Sequence, residues 1–283
     1  MQGLKLAVLC ALAACVPRVR ESGPEREYRA IAGGVPFTIV YLRGDEAVGR
    51  DLLAALAWAA PRAQRWGPLR VPVTITVHPT HEALELAAGR SSYGWLRAWA
   101  RYSTIEVQSP RTWSASPSPQ ELEQFMAHEL THCAMYQSVA DERSWVHKAV
   151  PLWFREGMAS VTAEQGHRRA GPESVREFYA AAATDNEASG GSEGGEARTP
   201  RGDPLSDPER LYRSEDEIVY GTAHLAFGFL LDRYGEDRIR RLLRLMRQGD
   251  PFPEAFRGAI GIGAEEFENE FRRYIVWHGF RSR

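Results

Sequence analysis

His128, Glu129 and His132 stand in the order His-Glu-Leu-Thr-His. On a helix, residues i and i+4 share one face, so both imidazoles can meet one metal ion at about 2.0–2.1 Å. Glu129 projects beside that face, where its carboxylate can reach a water held by the metal instead of the metal itself. With 8 histidines among 283 residues, about 0.02 chance matches to this pattern are expected. A hydrolytic zinc site takes three protein ligands and leaves one position open. Glu156, 24 residues after His132, is the candidate third ligand. Its apolar neighbours Leu152, Trp153, Phe154 and Met158 leave its charge in need of a partner, which a metal would supply. On spacing alone a second reading stands beside this one: a surface glutamate at a helix start, favoured there by the helix dipole.

These side chains need elements to hold them. Ser118-Pro119-Gln120-Glu121 places serine at a helix N-cap, proline at the first helical position and glutamate three residues after the cap, a capping box. Leu122, Phe125, Met126 and Leu130 continue the apolar stripe, so the spacing predicts a helix from 118 to about 139 that carries the histidines. A further helix is expected over 152–165, able to pack across the first after a short connection. Upstream, 36–42, 71–77 and 102–108 read as strands, with helices over 47–66 and 81–88. Pro72 favours an edge or a strand start. Residues 184–208, rich in Gly, Ser, Pro and acidic side chains, read as a flexible loop. Helices follow over 218–234, 237–247, 252–259 and 264–277, with Gly235 and Gly261 as stops. The expected fold class is α+β: a small mixed sheet with helices over 35–183, a helical lobe over 209–283, and the metal in the cleft between them.

A helix with H-E-x-x-H followed by W-F-x-E-G-[LM]-A, here residues 128–132 and 153–159, resembles the gluzincin metallopeptidases, in particular their bacterial peptidase MA-like members. The resemblance covers about residues 35–278 and is specific at His128, Glu129, His132, Glu156 and Gly157. It implies a thermolysin-like catalytic architecture, zinc on His128, His132 and Glu156, and Glu129 as general base and proton shuttle in peptide-bond hydrolysis. It also implies a tyrosine or histidine from the C-terminal part facing the zinc to stabilise an oxyanion, with Tyr220 the first candidate and His224, one turn on, the second. The plainer readings are that Tyr220 packs and that His224 is a satisfied helix histidine. One departure is evident. Relatives often carry an acidic residue four after the glutamate ligand, partnering a histidine; here Ser160 stands there, leaving the role lost, met by the hydroxyl, or supplied by Glu164. By the same resemblance the strand at 102–108, bracketed by Trp95, Trp99 and Trp113, would be the edge that pairs with a peptide substrate. His78 and His81 read as surface residues, and Cys133 as a buried structural thiol.

The N-terminus reads as an address. Lys5 precedes eleven apolar residues from Leu6 to Val16, too few for the about 20 that span a bilayer. Leu12-Ala13-Ala14-Cys15 resembles a bacterial lipobox, which implies a signal peptide over 1–14, a lipid on Cys15 and a tether over 15–34. The expected location is the cell envelope, at the outer membrane where the host has one, because Val16 is not the aspartate of inner-membrane retention. Ordinary cleavage after Ala13 is the alternative. With 35 basic against 37 acidic residues, net −2, nothing global points to nucleic acid. The expected partner is a peptide or protein substrate. The rival function is a zinc-binding envelope lipoprotein that binds peptides or acts as a scaffold without hydrolysing them.

Overall fold

In a computed structural model, residues 25–189, 202–212 and 214–277 are described, with the backbone alone for 183–189. The segment read as a signal peptide, with Cys15, lies outside these residues. The first elements are strands β1 (Arg26–Ala32) and β2 (Val35–Tyr41), helix α1 (Glu46–Ala63), strand β3 (Val73–His78), helix α2 (His81–Ala88) and strands β4 (Ala98–Ala100) and β5 (Thr104–Gln108). They form a five-stranded sheet of order β1-β2-β3-β5-β4. β2, β3 and β5 run parallel, with Ile39 beside Ile75 and Ile75 beside Ile105, while β1 and β4 run antiparallel at the two edges. Pro72 precedes β3, so it costs the ladder no hydrogen bond.

Helices α3 (Pro119–Val139), α4 (Leu152–Thr162), α5 (Pro172–Ser189), α6 (Asp216–Tyr234), α7 (Glu236–Gln248), α8 (Phe252–Ile260) and α9 (Ala264–Trp277) complete the described elements. α3 joins two cores. Its Leu122, Met126, Leu130 and Cys133 pack with α1 and the sheet, around Phe37, Leu52, Leu56 and Ile75. Its last turns, through Met135 and Val139, enter a second core with Trp153, Phe154, Phe227, Phe256 and Phe267 of α4, α6, α8 and α9. The His-Glu-x-x-His segment therefore lies where the two cores meet.

Four expectations are corrected. The segment at 102–108 is an interior strand, β5, and the edge is the short β4, whose three residues gave too little alternation to read. β1 falls inside the stretch read as a tether; its exposed side chains hide it, and it forms by pairing with β2 and by stacking Tyr28 on Tyr41 at 4.9 Å. α5 runs from Pro172 to Ser189, into the stretch read as a loop. Beyond it, Leu205 is buried in the second core and Asp203 pairs with Arg272 at 2.9 Å, so composition misled there. Gly235 and Gly261 do end their helices at positive φ.

Candidate active site

α3 starts on its capping box: Ser118 Oγ accepts from the Glu121 amide at 3.2 Å, and Glu121 accepts from the Ser118 amide at 2.6 Å. Two turns later His128 and His132 present their rings on one face, centroids 4.9 Å apart. α4 brings Glu156 to them. It packs against α6 at Gly157, where a Cβ would lie 2.2 Å from the Ala223 carbonyl oxygen and 2.5 Å from Phe227 Cβ. Only glycine permits that approach. Glu156 Oε2 then stands 3.5 Å from His128 Nε2 and 3.6 Å from His132 Nε2.

Donor atoms of the three residues lie within 4.8 Å of one another. Two imidazoles and one carboxylate, facing one point from two helices, are a donor set suited to zinc. Gln165 Oε1 accepts from Arg169 Nη2 at 3.0 Å, which fixes that atom as the acceptor, since guanidinium only donates. It lies 3.0 Å from His128 Nδ1, which must then carry the proton, leaving Nε2 with its lone pair toward Glu156. His132 Nδ1 is buried without a partner.

Gln165 resolves the departure at Ser160. α4 ends at Thr162, short of the expected 165, and Glu164 takes a left-handed φ of 56°. That turn swings Gln165 back across α3. Ser160 Oγ instead meets His224 Nδ1 at 3.0 Å, and Glu164 pairs with Arg62 at the surface, 3.7 Å away. His224 is thereby corrected: it points at Ser160 and the Gly166 turn and does not line the cleft with the other candidates.

His128, Glu129, His132, Glu156 and Tyr220 line one cleft of about 350 Å³. One wall is β4, with Trp99 between Ala98 and Ala100; another carries Trp95 stacked on Tyr212 at 6.1 Å and edge-on to Tyr220 at 5.8 Å. Trp113 packs on Phe125 instead. His78 pairs with Glu106 at 2.8 Å, and buried Cys133 donates to the Arg101 carbonyl. Burial, with Glu156 nearby, pushes Glu129 above the usual carboxylate range, the direction a general base needs. Burial resists ionisation of Glu156 too, but His132, the contact with His128, and Arg155 outweigh it and hold its carboxyl well below that range. Burial, with Glu156 second, pushes the Tyr220 phenol well above its ordinary value, so it stays a protonated donor. Sequence reasoning missed Gln165, Arg155, Arg169 and Tyr212 in the cleft. Only Arg155, inside the glutamate motif, carried any local signal.

No protein-family model matches this chain, and no curated protein does. Among solved structures, the chain is similar to the M1 zinc metallopeptidase of Deinococcus radiodurans, at 15% identity and a TM-score of 0.41, over 90% of this chain and 52% of that one. A point mutant of that enzyme bound to a Tyr-Ser-Ala substrate is similar at 14% identity and the same TM-score of 0.41, over 92% and 54%. The chain spans about half the length of these neighbours.

Proposed function

We propose that this chain is a zinc-dependent peptidase, with His128, His132 and Glu156 as ligands and Glu129 as general base. The observation that carries the reading is the convergence of Glu156 Oε2 on both histidine Nε2 atoms, at 3.5 and 3.6 Å, in a cleft that Glu129 also lines. A zinc ion bound there would lower the pKa of water to about 7 and polarise a carbonyl.

The chain's own residues supply the rest. β4 is an edge strand on the cleft wall, so an extended peptide can add to it by main-chain hydrogen bonds. Glu129 takes the proton of the attacking water and delivers it to the leaving amine, and its raised pKa suits both transfers. Tyr220 donates its phenolic hydrogen to the developing oxyanion. Gln165 fixes the His128 tautomer. The lipid anchor on Cys15 belongs to the same proposal, and labelling with a fatty-acid analogue tests it; unlabelled protein in the soluble fraction would refute it.

The deciding experiment pairs zinc stoichiometry with peptide-library cleavage by wild type and Glu129→Gln. One zinc per chain is expected in both, with the rate falling about 10²–10⁴-fold in the variant. Cleavage that survives Glu129→Gln refutes the mechanism, and zinc binding without any cleavage leaves the binding protein.

A further inference from the structure

The cleft holds two cations that the proposed hydrolysis does not use. Arg155, beside the ligand, sets its Nε 3.3 Å from Glu156 Oε1, on the oxygen turned away from the histidines. Arg169, on the turn after Gln165, gives one N–H to Gln165 Oε1 and lies with its guanidinium carbon 5.0 Å from the centroid of the Tyr220 ring. Both line the cleft, and Arg169 Nε is buried with no hydrogen-bond partner among the described residues. Arg168 of the same turn faces outward to Glu121.

The charges of the centre do not close when it is loaded. The carboxylates acting on the two guanidiniums are those of Glu156 and Glu129. A divalent ion on His128, His132 and Glu156 cancels those two negative charges. Two half-buried guanidiniums then remain with no paired counter-charge among the described residues, and an anion entering the cleft would supply one. The other charged groups lining the cleft are otherwise engaged or stand at its rim. Arg97 bonds the Gly94 and Leu96 carbonyls and Gln108, and Arg90 lies over Trp99 at 4.7 Å. Glu209 is exposed, while Asp216, half-buried in the first turn of α6, lines the cleft without pairing to either arginine.

We propose that Arg155 and Arg169 form a carboxylate-binding subsite next to the metal centre, so that the substrates are peptides bearing a carboxylate close to the scissile bond. The carboxylate comes either from an acidic side chain or from a free C-terminus; both offer the two oxygens that a guanidinium fork grips. This rests on the peptidase reading above, since it is the loaded centre that leaves the guanidiniums uncompensated.

The test measures binding by calorimetry to zinc-loaded Glu129→Gln protein, which keeps peptides intact. The probes are acetylated, amidated alanine tetrapeptides with one glutamate or one glutamine at each position in turn, and acetylated tetra-alanine as free acid or amide. In one arm the acid is expected to bind about tenfold tighter than its neutral twin, and the winning arm identifies the source of the carboxylate. The preference should shrink in zinc-free wild type, which cannot cleave the probes and in which Glu129 and Glu156 again compensate the arginines. It should be lost in Arg169→Gln and weakened in Arg169→Lys, which keeps the charge without the fork. Arg155→Gln should lose it too, and a variant that fails to fold or take up zinc is set aside for the Arg169 pair. Equal binding of acids and amides, binding of neither, or a preference undiminished in Arg169→Gln overturns the subsite. Failure of the peptidase reading looks different: wild type then cleaves none of these peptides while the acid preference stands. A protein that takes up no zinc overturns both.

Discussion

Replacing Gly157 by alanine probes how Glu156, the proposed third ligand, is placed. The added Cβ would lie 2.2 Å from the Ala223 carbonyl oxygen and 2.5 Å from Phe227 Cβ. Non-bonded atoms settle at about 3.5 Å, so α4 must back away from α6 by about 1 Å. Neither neighbour can rotate aside, since one is backbone and the other the root of a buried side chain. Overpacking of this kind costs about 1–3 kcal/mol, and the better helix propensity of alanine returns at most about 1 kcal/mol. A net loss of about 1 kcal/mol lowers the melting temperature by about 2–4 °C in a chain of this size. Glu156 is the preceding residue and moves with α4, whereas ligand distances tolerate only about 0.2 Å. Zinc affinity should therefore fall at least about tenfold, a larger effect than the stability loss alone would give. Gly228→Ala, on α6, is the matched control: its Cβ meets nothing within 4 Å, and it should be neutral or stabilising by up to about 1 kcal/mol. Thermal unfolding with and without zinc, and competition titration with a chelator, read both quantities. A Gly157→Ala protein that melts within about 1 °C of wild type and binds zinc equally well would refute this account of the helix contact.

Gln165→Ala removes the acceptor on His128 Nδ1, and zinc affinity should drop about 10–100-fold by chelator competition, with Gln165→Glu restoring much of it. The same substitution at Glu164, whose side chain pairs only at the surface, should leave zinc affinity unchanged. Burial, with Arg169 second, lowers the His224 pKa to about 4. The unfolded chain then binds the proton more readily, so stability contributed by neutral His224 is full above about pH 6.5 and falls away toward pH 4, by up to about 3 kcal/mol. Denaturant unfolding from pH 7 to 4 checks this, and His224→Gln should flatten that part of the profile while leaving peptide cleavage within a few-fold.

The candidate donor residues and the helices that carry them were legible in the spacing alone. His128 and His132 are bound to one helix face, with Glu129 beside it, by a period that no tertiary contact can alter, and the capping box fixes where that helix begins. The alternating strands 36–42 and 71–77 and the C-terminal helices were legible for the same reason: burial of one face imposes a period on the residues. What lacked a period was hidden. β4 is three residues long, β1 is half exposed, and Leu205 packs from a stretch whose composition reads as loop. The hydrogen-bond partners of the histidines were not legible, because they come from different elements that only packing brings together. A single left-handed residue at 164 sends Gln165 to His128, whereas a helix continued to 165 would have turned it elsewhere. Ser160 and His224 pair with each other, which removes both from the roles that spacing had left open. Arg155 from α4 and Arg169 from the turn after Gln165 meet in one cleft only through packing. Local chemistry is written in spacing, and charge balance across a cleft is written only in space.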